Sequence, residues 1–127
     1  MIARDLMTPN PMTVTPQASV AEVWDLMREL EIRHVPVVQD GALVGMLSDR
    51  DLARLDIAQM LPMPIIKVMS TDVIAVEPES ELTEVVELLI EHKVGALPVI
   101  APDSREGVGI GSYIDVLRAV EDRLEEE

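Results

Sequence analysis

Two carboxylates recur in one local setting. Asp51 closes the segment Gly45-x-x-Ser48-x-x-Asp51, and Asp115 closes Gly109-x-x-Ser112-x-x-Asp115. A carboxylate can accept two hydroxyl protons at once, which suits it to a vicinal diol, and such charge-assisted bonds are about twice as strong as neutral ones. The Ser-x-x-Asp stretch opens a helix, where unpaired backbone N–H groups and the positive dipole end favour an anion. The glycine ahead of it permits a close approach to the backbone. The same spacing also reads as a capping box with Asp in place of Glu, and capping alone accounts for a lone motif of this kind. Both readings can hold together.

Arg33 and His34 form a second candidate group. They follow a helix, where cations suit the negative dipole end. At the matching place later in the chain stand Gly95 and Ala96, and Ile114 stands where the first motif has Arg50. His34 and His92 are the two histidines and lack metal-ligand spacing, so no metal site is expected. No histidine recurs at a fixed offset from Ser48 and Ser112, so no nucleophilic triad is expected. There are no cysteines, which removes thiolate chemistry and disulfides together. The chain is therefore expected to catalyse nothing and to carry no catalytic cofactor.

Composition narrows the partners. The 127 residues carry a net charge of −14, which repels nucleic acid and anionic membranes. A small anion remains possible, because a pocket needs only two or three cations. With one Trp, one Tyr and no Phe, a bound base would lie between aliphatic side chains. No apolar run approaches the ~20 residues that span a bilayer. The start, Met1-Ile2-Ala3-Arg4-Asp5, does not read as a signal peptide, so a cytoplasmic location is expected. The acidic end, Glu121 to Glu127, reads as a solvated helix face and tail.

The elements that position these residues come as two copies. At an offset of 62, as from Met7 to Met69, Val14 meets Val76, Pro16 meets Pro78, and Pro36-Val37 meets Pro98-Val99. Past the strand the offset becomes 64, and Gly45, Ser48, Asp51 and Arg54 meet Gly109, Ser112, Asp115 and Arg118. The added residues fall within Ala101–Gly107, a stretch of turn formers. Each copy reads β-α-β-β-α. An extended piece (Thr13–Thr15; Ile74–Val76) ends at a proline. A helix follows, capped by Ser19 with Glu22 in the first copy and starting at Ser80 or Glu81 in the second. Val20, Val23, Trp24, Met27 and Leu30, and Leu82, Val85, Val86 and Leu89, give these helices their apolar faces. Then come a strand from His34 to Val38, a turn at Asp40-Gly41, a strand from Ala42 to Leu47, and a closing helix from Ser48 or Ser112. Neither copy covers both faces of its sheet, so the two are expected to pack sheet to sheet. The repeats are placed at 1–61 and 62–127.

The repeat resembles the CBS domain family, and the tandem resembles the paired arrangement known as a Bateman module. The likeness rests on Met7-Thr8 and Met69-Ser70, on Val35-Pro36-Val37 and Leu97-Pro98-Val99, and on the two Gly-x-x-Ser-x-x-Asp segments, in the same order twice. It covers nearly the whole chain, leaving no room within it for an attached enzyme. It implies an α+β fold (α/β by some schemes) with pseudo-two-fold symmetry and clefts between the repeats. Those clefts would bind AMP, ADP, ATP, S-adenosylmethionine or a related adenosyl ligand. Carried over residue by residue, Asp51 and Asp115 would hold ribose hydroxyls, and Ser48 and Ser112 would sit near ribose or phosphate. Arg33 and His34 would meet phosphates. Thr8, Met12, Ser70 and Ile74 would surround the base. Gly45 and Gly109 complete the nucleotide-binding set.

A regulatory nucleotide-binding module is the leading reading, signalling to an unknown protein or through its own assembly. The alternative is a structural module that dimerises without ligand. A homodimer is expected in either case, through Leu52 and Leu55 and through Ile114, Leu117 and Val120.

Overall fold

The computed structural model describes residues 1–54, 56 and 62–126. In chain order the elements are α1 (Ala3–Leu6), β1 (Thr8–Pro9), α2 (Val20–Leu30), β2 (His34–Gln39), β3 (Ala42–Ser48), α3 (Asp49–Ala53), a 3-10 turn (Ile65–Lys67), α4 (Leu82–His92), β4 (Ala96–Ile100), β5 (Gly107–Ser112) and α5 (Tyr113–Glu125). They gather into two compact units. One is the continuous stretch Met12–Val73; the other joins Met1–Pro11 to Ile74–Glu127.

In the Met12–Val73 unit, Ser19 caps α2 by accepting from the Glu22 N–H at 3.1 Å. The helix ends at Glu31, which takes the left-handed conformation at φ 55°. Strands β2 and β3 form an antiparallel hairpin with His34 opposite Ser48 and Val37 opposite Gly45. Its tip is Asp40-Gly41, with φ of 52° and 82°. Positive φ at both central residues is what a two-residue hairpin turn of matching twist requires. The extended piece around Val14 is a single parallel bridge to Val37. That bridge uses the Pro36 carbonyl and the Val38 N–H, so the N–H that proline lacks is not needed. Val20, Val23, Met27, Val35, Val37, Leu47, Leu52 and Ile65 make the core, with Trp24 packed against it.

The second unit repeats this plan. Helix α4 follows Glu81, whose side chain makes no cap bond, and ends at left-handed Lys93. Ser80 instead accepts from the Glu77 N–H in the turn before it. Strands β4 and β5 pair with Ala96 opposite Ser112, and Val76 bridges Val99 as Val14 bridges Val37. Each hairpin carries a register shift at the same place, after Val37 and after Val99. The core is Ala3, Val76, Val85, Leu89, Leu97 and Val99.

Two features come from the tertiary structure, and the second corrects the sequence reading. First, the repeats at 1–61 and 62–127 are not the compact units. Residues Met1–Pro11 join the second repeat: Thr8 pairs with Ile110, Ala3 N–H donates to the Ser80 carbonyl at 2.7 Å, and Arg4 makes an ion pair with Glu79. In turn Ser70 pairs with Met46 of the first repeat. Each hairpin offers a free edge, and the opening segment of the other repeat fills it. Second, Leu52 is fully buried in the first core, so packing, not association, employs it. Leu55 lies outside the described residues.

Candidate functional site

Each Ser–Asp motif folds onto itself at a helix start. The Asp51 N–H donates to Ser48 Oγ at 3.2 Å, and the Ser48 N–H donates to Asp51 Oδ2 at 2.9 Å. In the second motif the Asp115 N–H donates to Ser112 Oγ at 3.2 Å and the Ser112 N–H to Asp115 Oδ2 at 2.8 Å. There the serine hydroxyl also donates to Oδ2, at 3.0 Å. All four residues are half-buried. The capping reading is thus present in both copies. It uses one oxygen of each carboxylate. Among the described residues nothing donates to Oδ1 of either aspartate, so a carboxylate held in a fixed orientation keeps acceptor capacity for an arriving hydroxyl.

The twelve residues read from the sequence divide between the units. Met12, Arg33, His34, Gly45, Ser48, Asp51 and Ser70 belong to the Met12–Val73 unit, while Thr8, Ile74, Gly109, Ser112 and Asp115 belong to the other. The exchange of opening segments sorts them: Ser70 lies along β3, beside the Asp51 motif, and Thr8 along β5, beside the Asp115 motif. Met12 and Ile74 occupy matching places, each two residues ahead of a parallel bridge, and both are exposed.

Gly45 and Gly109 each have a close neighbour within the chain. A Cβ on Gly45 would lie 2.8 Å from Met69 Sδ and 2.9 Å from the Ser70 carbonyl oxygen. A Cβ on Gly109 would collide with Met7 Sδ and lie 3.0 Å from the Thr8 carbonyl oxygen. The close approach these glycines permit is that of the chain's own Met-Ser and Met-Thr segments. A ligand is not needed to explain them.

Charge separates the two motifs. Arg33 carries its backbone carbonyl to the Asp49 N–H at 2.9 Å, which sets it beside the start of α3. His34 lies opposite Ser48, half-buried. Burial pushes its pKa below the usual 6.5, and Arg33 and Arg50 act the same way, while Asp49 and Asp51 oppose the shift. Neutral imidazole is the favoured form, so the permanent cations here are Arg33 and Arg50. Asp49 was not among the sequence candidates; its place directly after Ser48 was the available signal. In the second motif the Gly95 carbonyl accepts from the Tyr113 N–H at 3.0 Å, and Ala96 lies opposite Ser112, so the same backbone frame carries no charge at these places.

Among the described residues no group of three His, Cys, Asp or Glu is arranged to hold a metal ion. No helix there is long and apolar enough to cross a membrane.

Comparison with known proteins agrees with this geometry. The CBS domain family matches twice, over residues 3–58 and 65–122. The chain is 33% identical over 107 residues to the CBS domain-containing protein YhcV of Bacillus subtilis, covering 83% of this chain and 76% of that protein. It is 33% identical over 105 residues to an inosine-5'-monophosphate dehydrogenase of Korarchaeum cryptofilum, covering 83% of this chain but 21% of the enzyme. Among solved structures, CBSX2 in complex with AMP superposes with a TM-score of 0.86 at 30% identity, covering 95% of this chain and 96% of that one. The doubled β-α-β-β-α plan, the twin Ser–Asp boxes and these matches together show that the chain belongs to the CBS domain family, as a pair of CBS domains.

Proposed function

We propose that this pair of CBS domains is a regulatory module that binds an adenosyl ligand and has no catalytic activity of its own. The observation that carries the reading is the reciprocal Ser–Asp box in both units, which orients a carboxylate while leaving Oδ1 open to the hydroxyls of a ribose. The relative CBSX2, of matching fold, takes AMP. Arg33 and Arg50 add cations for phosphate at the first motif. The ligand is one of AMP, ADP, ATP and S-adenosylmethionine, and its binding alters the assembly of the module or its contact with a regulated protein. Thr8, Met12, Ser70 and Ile74 are assigned to the surroundings of the base. The test is calorimetry of the full chain with each ligand. Micromolar binding of at least one supports the proposal; absence of heat and of any thermal shift with all four overturns it.

A second reading has its own support. Helix α5 leaves Tyr113, Ile114, Leu117, Val120 and Leu124 exposed at helical spacing, Leu124 by 64%. Such a stripe suits association of two copies. If every ligand fails while the chain is a dimer in light scattering, the module is a ligand-free dimerisation unit.

A further inference from the structure

We infer that Met7 and Met69 are oxidation sites: conversion of either thioether to a sulfoxide by a peroxide releases the short segment it anchors from the edge of its hairpin. The inference stands apart from the nucleotide reading above and rests on where the two sulfurs sit.

The chain has eight methionines and no cysteine, so its sulfur is all thioether. Met7 and Met69 hold matching places in the two units. Met69 Sδ fills the space that a Cβ on Gly45 would need, 2.8 Å from that position, with Cε at 3.2 Å. Met7 Sδ does the same at Gly109, with Cγ at 3.0 Å. Each side chain also packs against the core of its own unit, Met69 on the cluster that includes Val37 and Leu47, Met7 on the one that includes Leu97 and Val99. Both methionines are half-buried, which leaves a small oxidant access to them. Met27, at 4% exposure, is their shielded counterpart.

In the oxidation the sulfur lone pair attacks one peroxide oxygen and the O–O bond breaks. The departing hydroxide takes the proton left on the transferred oxygen, so sulfur is oxidised and the peroxide is reduced to water. The new oxygen has no room on the glycine side, where the sulfur already sits closer than a Cβ would allow. On the core side the buried side chains of both clusters are aliphatic or thioether groups and donate no hydrogen bond, so a sulfoxide there goes unsatisfied. Hydration draws it outward, and the segment that carries it is lightly held. The Met69–Ser70 segment joins its hairpin through the Met46 N–H to the Ser70 carbonyl at 3.0 Å and the Ser70 N–H to the Met46 carbonyl at 2.9 Å. The Met7–Thr8 segment joins the other through the pairing of Thr8 with Ile110 and the Asn10 N–H to the Val108 carbonyl at 3.3 Å. Edge pairings this short open locally while the cores stay closed. Thr8 and Ser70 leave with their segments.

The experiment treats the full chain with graded hydrogen peroxide, locates sulfoxides by peptide mass spectrometry, and follows the amides of Met46, Ser70 and Asn10 by NMR hydrogen exchange. The expected result is sulfoxide at Met7 and Met69 before Met27, with roughly tenfold faster exchange of the three amides. Methionine sulfoxide reductases should restore the slow exchange. Met1 and Met12 are exposed and oxidise as well, so single variants separate the sites. Met69→Leu keeps an apolar side chain of similar volume that peroxide cannot oxidise. It should abolish the response of Met46 and Ser70 and keep that of Asn10; Met7→Leu should do the converse. The inference fails if Met7 and Met69 oxidise no earlier than Met27, if their oxidation leaves exchange unchanged, or if the variants respond as the wild type does. The wild-type measurement decides by itself should a variant not fold.

Discussion

Gly45 faces Met69 so closely that a Cβ on the glycine would lie 2.8 Å from the thioether sulfur. The Ser70 carbonyl oxygen is as near, at 2.9 Å, and it is backbone and cannot turn aside. Gly45→Ala must push the Met69–Ser70 segment off the β3 edge. Overpacking of this kind costs about 1–3 kcal/mol. Gly109→Ala meets the same obstacle in the Met7–Thr8 segment. Gly107 has open space where its Cβ would go, so Gly107→Ala changes stability by less than about 0.5 kcal/mol. Urea unfolding of the three variants checks this; equal losses would show that close approach is not what the glycines provide.

The Ser–Asp boxes predict two separable losses. Ser48→Ala removes a cap and costs about 1 kcal/mol of stability. Asp51→Ala also removes the open Oδ1, so it weakens adenosine binding by about 1.5–3 kcal/mol, roughly tenfold to over a hundredfold. Asp115→Ala does the same at the other motif. Calorimetric stoichiometry distinguishes them, each variant losing one class of site. Binding unchanged in both would return these residues to capping alone.

Charge asymmetry predicts unequal variants. Arg33→Ala weakens ATP more than adenosine, by about tenfold, because one charge-assisted bond is lost. A titration of that variant with both ligands decides it. Equal effects on the two would mean that Arg33 only completes the helix end.

His34 predicts a pH dependence of the ligand-free protein. Its pKa in the fold lies below 6.5, chiefly because of burial. On acidification the unfolded chain takes up the proton first, so between the folded value and 6.5 it holds more protons than the native state. Stability therefore rises with pH through that window. The contribution is complete above about 6.5 and is lost as the pH falls through the folded value. His34→Gln should flatten this part of the curve. Denaturation midpoints at pH 5, 6 and 7.5 for both proteins measure it, and identical slopes would remove His34 as the cause.

The exposed stripe of α5 predicts a dimer that a single charge can divide. Leu117 is 57% exposed in the chain alone. Leu117→Glu places a charge inside the proposed association face, which is costly without a partner. The mass in light scattering should fall from dimer to monomer with no loss of helical signal. A wild-type monomer at micromolar concentration would overturn the assignment.

Local chemistry was legible in the sequence. The Ser48–Asp51 and Ser112–Asp115 boxes, the Asp40-Gly41 turn and the apolar faces of α2 and α4 depend on spacings within a few helical turns or one hairpin, and each is present, except that Leu30, read as part of the α2 face, is 43% exposed because it lies at the helix end beyond the core. The offset change at Ala101–Gly107 lies in the loop between β4 and β5, where extra residues disturb no pairing. Tertiary structure decided the rest. Periodicity cannot say which hairpin edge a short segment will cover, and Met7-Thr8 and Met69-Ser70 each join the hairpin of the other repeat. That exchange brings the chain's own Met69–Ser70 and Met7–Thr8 segments against Gly45 and Gly109, and sorts Thr8 with Asp115 and Ser70 with Asp51. Likewise Leu52 looked free on a terminal helix, and His34 looked like a cation. Burial made one a core residue and the other a neutral ring, because desolvation depends on what the whole unit packs around a residue and not on its neighbours in sequence.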